Sequence, residues 1–444
     1  MSQSYVPDGA LVSCSEGKEN SRIHVVSQNK AYMNGKLKAT ENDRFKGNFN
    51  CEKMTGGAAS LGGMVGALVG ALGGPVGGFV GFLAGRFAGG LLGSQSSRVL
   101  PSLCSTLCTS SHWTVVHPKV YIKGQQALLA KAQLSCKMGG LIQIILPDMD
   151  KALTHARLAR EVYENIDYDH PENNQEIDGY KPVSAERAKE ILGKDWKYFL
   201  NQDEDNGFYA TLFEDKNGNV VVAYRGTDVG AGINDIKEDV VQALGISSDQ
   251  YDASVKLADK IKEAKNEGII TGEVSITGHS LGGGLATAAG SRTGYSTYTY
   301  NAAAVHDKTY ERNQMEKNTN HIQAYIGTKD PLNAVQDNRE IVLPGAVLLS
   351  PSLPVLGGIG GSVLGPIGSR IGGSIGTIGA GALTIGGTWG ILSGGMPNQK
   401  GVQRIVVPQD CGFKEGHMIG DLITAMEKMQ KSMGAGNPVI AANI

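Results

Sequence analysis

The run Gly278-His279-Ser280-Leu281-Gly282 sets a serine midway between two glycines. A serine hydroxyl is a weak nucleophile until a neighbouring base takes its proton. The G-x-S-x-G spacing lets a strand turn sharply into a helix with that hydroxyl raised above the turn. In a chain with 62 glycines among 444 residues the pattern also arises by chance, and Gly372-Gly373-Ser374-Ile375-Gly376 fits it too. Context separates the two. Ser280 follows Glu273-Val274-Ser275-Ile276-Thr277, an alternating strand, and precedes the small-residue helix Leu285-Ala286-Thr287-Ala288-Ala289. The second match follows only Gly-Ile-Ser repeats.

The base and its orienting acid must come from loops at the C-terminal ends of parallel strands, where an open α/β sheet gathers its functional groups. Behind such an elbow the chain order is serine, acid, histidine. Three histidines follow Ser280: His306, His321 and His417. His321 opens the strand His321–Ile326 and so lies at the wrong end, whereas Asp330 follows that strand through Gly327-Thr328-Lys329, with Pro331 fixing the turn. His417 follows the strand Gln403–Val407 and a loop, where the last helix begins. The expected triad is Ser280, Asp330 and His417, with Asp307 as the reserve acid. Charge developing on a carbonyl oxygen needs two fixed donors. One is the backbone N–H of Leu281. The other is expected from Thr227, at the end of the strand Val220–Thr227, which the Asn217-Gly218 turn pairs with Phe208–Phe213.

These groups must be carried by a scaffold, and the composition divides the chain into zones. Residues 1 to about 145 are short, Gly-punctuated β-like pieces, residues 147 to 200 are charged and helical in pattern, and residues 205 to 330 alternate strands and helices. The remainder holds an apolar insert, a strand and a closing helix. In the first zone Lys30-Ala-Tyr-Met-Asn-Gly35 resembles Lys119-Val-Tyr-Ile-Lys-Gly124, and Ser13-Cys14 precedes Gly17 as Ser135-Cys136 precedes Gly139. Repeated hairpins of this kind predict a small β structure with internal pseudo-symmetry.

Two apolar inserts, 56–93 and 351–397, carry glycines at four-residue spacing, such as 62, 66, 70, 74 and 78. That spacing puts them on one helix face, open to close backbone approach. Pro75 and Pro366 sit in matching Gly-Pro-x-Gly turns. Each insert reads either as a membrane-inserting hairpin or as a soluble helical pair buried against the protein. Each glycine weakens an isolated helix by roughly 1 kcal/mol, so these segments need lipid, each other or a chaperone.

A net charge of −2 and a pI near 6.5 supply no basic field for nucleic acid. The first residues lack the basic and apolar regions of a signal peptide, so export is expected to use another route. Five of the six cysteines, Cys14, Cys51, Cys104, Cys108 and Cys136, precede residue 137. They read as thiols or metal ligands before disulfides, and four of them could close around a structural zinc. No C-x-x-C pair marks such a site, and buried free thiols are the other reading. No cofactor is expected for catalysis.

Tyr224-Arg-Gly-Thr227, Ile276-Thr-Gly-His-Ser-Leu-Gly-Gly283, Thr328-Lys-Asp-Pro331, Gly416-His417 and the helix Ala156–Tyr163 together resemble the class 3 lipases over residues 150 to 435. The resemblance implies an α/β-hydrolase that cleaves acylglycerol or phospholipid esters without a metal. The long Gly-rich insert between acid and base departs from that pattern; it could also be an interfacial lid. Pro7–Cys14, Asn34-Gly35 through Asp43, Cys51, Trp113, Gly124 through Leu134 and Cys136–Gly140 resemble the PAAR-like domains. The first insert interrupts that match between Cys51 and Cys104.

The expected architecture is therefore multidomain. Residues 1–145 form a β-rich PAAR-like spike-tip domain and residues 146–444 an α/β-hydrolase domain, each with one Gly-zipper insert. The resemblance implies an effector made in the bacterial cytoplasm and delivered on the trimeric spike of a type VI-like machine. It would act on membrane phospholipid at the target-cell membrane or periplasm, with a cognate immunity protein in the producer and a chaperone for the Gly-rich segments. The alternatives are a pore-forming toxin built on the zippers, and a lipase or esterase that acts at home with an unrelated N-terminal binding module.

Overall fold

A computed structural model describes residues 4–17, 19–33, 35–46, 49, 104, 107–108, 111–200, 207–226, 248–319, 321–330, 332–333, 336, 402–412 and 415–434. Both Gly-rich inserts, the second G-x-S-x-G match, Cys51 and Thr227 lie outside the described residues. Among the described residues no helix is long and apolar enough to cross a membrane.

The N-terminal region is mostly β among its described residues, with helical positions at Cys104 and Leu107. Its strands are β1 (Leu11–Cys14), β2 (Ser21–His24), β3 (Tyr32–Met33), β4 (Lys36–Leu37), β5 (Arg44–Lys46), β6 (Val116–Ile122), β7 (Gln125–Leu128), β8 (Gln133–Ser135) and β9 (Leu141–Ile145). Five of them pair antiparallel in the order β5-β2-β1-β9-β8. The sequence repeat corresponds to the two separate hairpins β3–β4 and β6–β7, which turn at Gly35 (φ 76°) and Gly124 (φ 80°), where a side chain would be strained. The core of this region gathers Val12, Ile23, Phe45, Trp113, Leu134 and Ile142. Buried Asp43 ties its loops together, accepting the N–H groups of Val26, Ser27 and Thr40.

The second region is a three-layer α/β structure. Helix α1 (Met149–Glu161) begins at Asp148, whose carboxylate caps it by accepting the Lys151 N–H. Then come β10 (Tyr180–Pro182), α2 (Ala185–Leu192), α3 (Trp196–Leu200), β11 (Ala210–Asp215), β12 (Val220–Tyr224), α4 (Ser248–Asn266), β13 (Val274–His279), α5 (Leu281–Thr293), β14 (Ser296–Tyr300), α6 (Asp307–Arg312), β15 (Ile322–Gly327), β16 (Gln403–Val407) and α7 (Ile419–Gly434). The sheet runs β10 to β16 in sequence order, antiparallel through β12 and parallel from there to β16. The expected hairpin is β11–β12, turning at Gly218 (φ 75°). Strands β12 to β15 are buried almost throughout, as strands covered on both faces are, though only β12 is a largely apolar run. Helices α2, α4 and α5 fill one face around Val222, Ile276 and Leu285, and α1 and α7 fill the other around Tyr300, Tyr325 and Ile405.

The two regions share packing. Leu11 of β1 and Ile145 of β9 belong to the same apolar cluster as α1, α7 and β16. Asn20 reaches the sheet edge: its Nδ2 donates to the Arg404 carbonyl at 2.8 Å, and its Oδ1 accepts the Val406 N–H at 2.8 Å. One side-chain amide thus substitutes for a neighbouring strand and blunts an otherwise open edge.

Candidate active site

Strand β13 ends at His279 and α5 starts at Leu281, so Ser280 is the single residue between strand and helix. Its backbone lies at φ 57°, ψ −126°, a conformation a non-glycine residue holds only under constraint, at a cost on the order of 1–3 kcal/mol. The constraint is visible. The Ser280 N–H donates to the Tyr300 carbonyl, and its own carbonyl accepts the N–H groups of Gly283, Gly284 and Ala303. The flanking glycines are required by close approach. A Cβ on Gly278 would meet the Gly282 carbonyl oxygen at 2.2 Å, and one on Gly282 would meet the Tyr224 carbonyl oxygen at 2.2 Å.

The three expected side chains come together. The Ser280 Oγ lies 2.9 Å from His417 Nε2, and His417 Nδ1 lies 2.6 Å from Asp330 Oδ1. His417 is 6 % exposed and Asp330 2 %. With the carboxylate accepting from Nδ1–H, Nε2 is left bare to take the serine proton. Asp330 is oriented in turn by the Leu332 N–H and by the backbone and side-chain amides of Asn333. The other candidates lie elsewhere. His321 bonds the Gly290 carbonyl, His306 caps α6, and Asp307 pairs with Lys317 on the surface.

The acid loop follows β15 and the base loop follows β16, so the pairing of these neighbouring strands already sets the two loops side by side. Two side-chain amides tie the loops further, and sequence reasoning missed both. Asn301, fully buried at the end of β14, donates Nδ2–H to the carbonyls of Gly416 (2.9 Å) and His417 (3.2 Å) and accepts the Gly327 N–H at 2.9 Å. Gln409 donates to the Gly416 carbonyl and accepts the Lys329 N–H. The one sequence signal for Asn301 is its type, since asparagine tolerates the left-handed backbone found there at φ 42°.

The end of β12 abuts the elbow, for the missing Cβ of Gly282 would also touch Arg225 and Gly226 within 2.8 Å. This is the strand from which Thr227 was expected to donate. Leu281 opens α5, so its N–H has no partner within the helix.

Cys14, Cys104, Cys108 and Cys136 converge on one small cavity with Phe49 and Leu107. Among the described residues, no group of three or more His, Cys, Asp or Glu side chains is arranged to hold a metal ion. Burial, then the neighbouring Cys136 thiol, pushes the Cys108 thiol up to about 12. Cys51, the fifth candidate ligand, lies outside the described residues. The cavity shared by the other four is otherwise lined by Phe49, Leu107, Met138, Gly140 and Ile142.

A nucleophile elbow, an imidazole and a buried carboxylate in this chain order, at the C-terminal edge of a parallel sheet, define a serine ester hydrolase of the α/β-hydrolase class. Residues 154–384, more than half of the chain, match the family described as Tle-like phospholipase domain. The chain belongs to that family. Residues 6–148 match a family described only as a domain of unknown function, DUF4280. Over 152 residues the chain is 31% identical to an extracellular phospholipase A1 from Serratia liquefaciens, a match covering 33% of this chain and 44% of the relative. The chain therefore spans less than half the length of that relative. Similar solved structures include an MDLA mutant from Penicillium cyclopium (18% identity, 43% of this chain and 76% of that one, TM-score 0.30). Another is the mono- and diacylglycerol lipase of Aspergillus oryzae (16%, 43% and 75%, TM-score 0.28). At these scores the fold assignment rests on the sheet and elbow themselves.

Proposed function

We propose that the chain hydrolyses the ester bonds of membrane phospholipids with Ser280 as nucleophile. The Ser280 Oγ attacks the acyl carbonyl while its proton passes to His417 Nε2. Asp330 holds the imidazole in the required tautomer and stabilises the imidazolium that forms. The Leu281 N–H, with a second donor from the end of β12, receives the negative charge on the carbonyl oxygen. Collapse of the tetrahedral intermediate expels the alcohol, which takes the proton from His417 and leaves the acyl group on Ser280. Water, deprotonated by His417, then releases the fatty acid. The observation that carries this reading is the Ser280–His417–Asp330 chain of hydrogen bonds at the elbow.

The finer reading is delivery: an antibacterial effector whose PAAR-like N-terminal region docks on the trimeric spike of a type VI-like apparatus. A cognate immunity protein in the producer and a chaperone for the Gly-rich segments belong to the same reading. Two observations support it. Val26, Tyr32, Val115 and Tyr121 stand exposed in and around the repeated hairpins, a set of apolar side chains suited to a partner. The relative from Serratia liquefaciens is named as extracellular.

The test of the chemistry is release of fatty acid from defined phospholipid vesicles and triglyceride emulsions by wild type and Ser280→Ala. The substitution is expected to abolish hydrolysis while leaving the folded protein intact. Undiminished hydrolysis by purified Ser280→Ala would remove the mechanism. Delivery is tested separately by co-purifying the full chain with a spike trimer. Absence of a complex would sink that part and leave the hydrolase standing.

A further inference from the structure

Tyr163 lies just beyond the end of α1, and its hydroxyl sits between two parts of the site that are far apart in the chain. It accepts the Gly226 N–H at 3.1 Å and lies 3.2 Å from His279 Nδ1. The opposite nitrogen of that ring, His279 Nε2, is 2.8 Å from the His417 carbonyl oxygen, which can only accept. Nε2 therefore carries the ring proton. Burial, with His417 alongside, pushes His279 down to about 3, so the imidazole is neutral at working pH and Nδ1 is bare. The Tyr163 O–H is placed to donate to Nδ1. A line of contacts thus runs from the Gly226 N–H through the tyrosine and the histidine to the His417 backbone.

The contact is also close-fitting. A side chain on Gly226 would meet the Tyr163 hydroxyl at 2.5 Å and the His279 carbonyl at 2.7 Å. The end of β12 is thereby held against both the elbow and the base by one phenol.

We propose that Tyr163 is a positioning residue of the hydrolase: its hydroxyl, acting through His279, fixes the β12 end that supplies the second oxyanion donor relative to the His417 imidazole. This rests on the serine hydrolase reading above. Neither Tyr163 nor His279 takes part in bond making. Their effect falls on the alignment of groups that stabilise the transition state, so it is felt in kcat more than in substrate binding.

The test compares wild type, Tyr163→Phe, His279→Gln and the double variant on p-nitrophenyl butyrate, with the labelling rate of Ser280 by a fluorophosphonate measured in parallel. Tyr163→Phe keeps the ring and removes only the hydroxyl. It is expected to lower kcat and the labelling rate together by about 10- to 100-fold, with KM unchanged. His279→Gln keeps a donor near the His417 carbonyl and drops the tyrosine contact, so it should show the same signature if Tyr163→Phe is poorly folded. In the double variant the losses should not multiply, because both changes cut one linkage. A kcat within twofold of wild type, a loss confined to KM, or losses that multiply would each overturn the proposal. Failure of the hydrolase reading would look different: hydrolysis and labelling would persist in Ser280→Ala.

Discussion

Replacing Asn301 tests how the acid and base loops are held together. Its side chain makes three hydrogen bonds in a fully buried position, but they are not equally replaceable. The Gly416 carbonyl keeps a second donor in Gln409, and the His417 carbonyl keeps His279. In Asn301→Ala only the Gly327 N–H is stranded, at about 1–3 kcal/mol for a buried unsatisfied group. Alanine at φ 42° adds roughly 1–2 kcal/mol of backbone strain. The expected loss is therefore about 2–5 kcal/mol, read as a shifted midpoint in urea unfolding. Asn301→Gly escapes the strain and isolates the hydrogen-bond part, so it should be more stable than the alanine variant. Because Gly327 precedes Asp330 by three residues, kcat on a soluble ester should fall in both variants. An alanine variant that unfolds with wild-type midpoint and turns over at the wild-type rate would refute this account of the loop clamp.

Asn20→Ala removes the two bonds that Asn20 makes to the β16 edge and should lower stability by about 1–3 kcal/mol, measured by thermal unfolding. A variant with an unchanged midpoint would show that these two hydrogen bonds add nothing to the join between the regions. His155 is 1 % exposed, bonded to the Lys151 carbonyl and the Ser275 hydroxyl, and burial pushes it down to about 4. Between pH 6.5 and 4 the unfolded chain binds a proton at this position that the native state does not, so stability falls as pH drops through that window and levels off below it. Urea unfolding of His155→Gln across pH 4 to 7 should show a slope reduced by about one proton. An unaltered slope would mean that the native state accepts that proton.

The catalytic elements were legible because each is written locally. An alternating strand, two glycines about a serine and a small-residue helix specify the elbow. An Asp-Pro after one strand and a histidine before the last helix lie at the right ends by chain order alone. The expected strand Val220–Thr227 ended earlier, at Tyr224, where the chain leaves the sheet to pass the elbow. Asn301, Gln409, Tyr163 and Asn20 left no such trace. Each is a polar residue whose partners lie in other segments, 384 residues away in the case of Asn20 and Arg404. The four cysteines are the converse case. Their grouping was readable, but whether they face a metal or one another depends on side-chain directions that no spacing encodes.

The amino-acid order by itself determined the two-region plan, the period of each strand and helix, and the identity of the reacting groups, since these follow from backbone preference and side-chain alternation within a few residues. Only the tertiary structure decided the orientation of those groups. The distances of 2.9 Å and 2.6 Å through His417 depend on loops set side by side by the pairing of β15 with β16 and tied by side-chain amides. A buried hydrogen bond between distant segments is a property of their packing, and the segments acquire it only once folded.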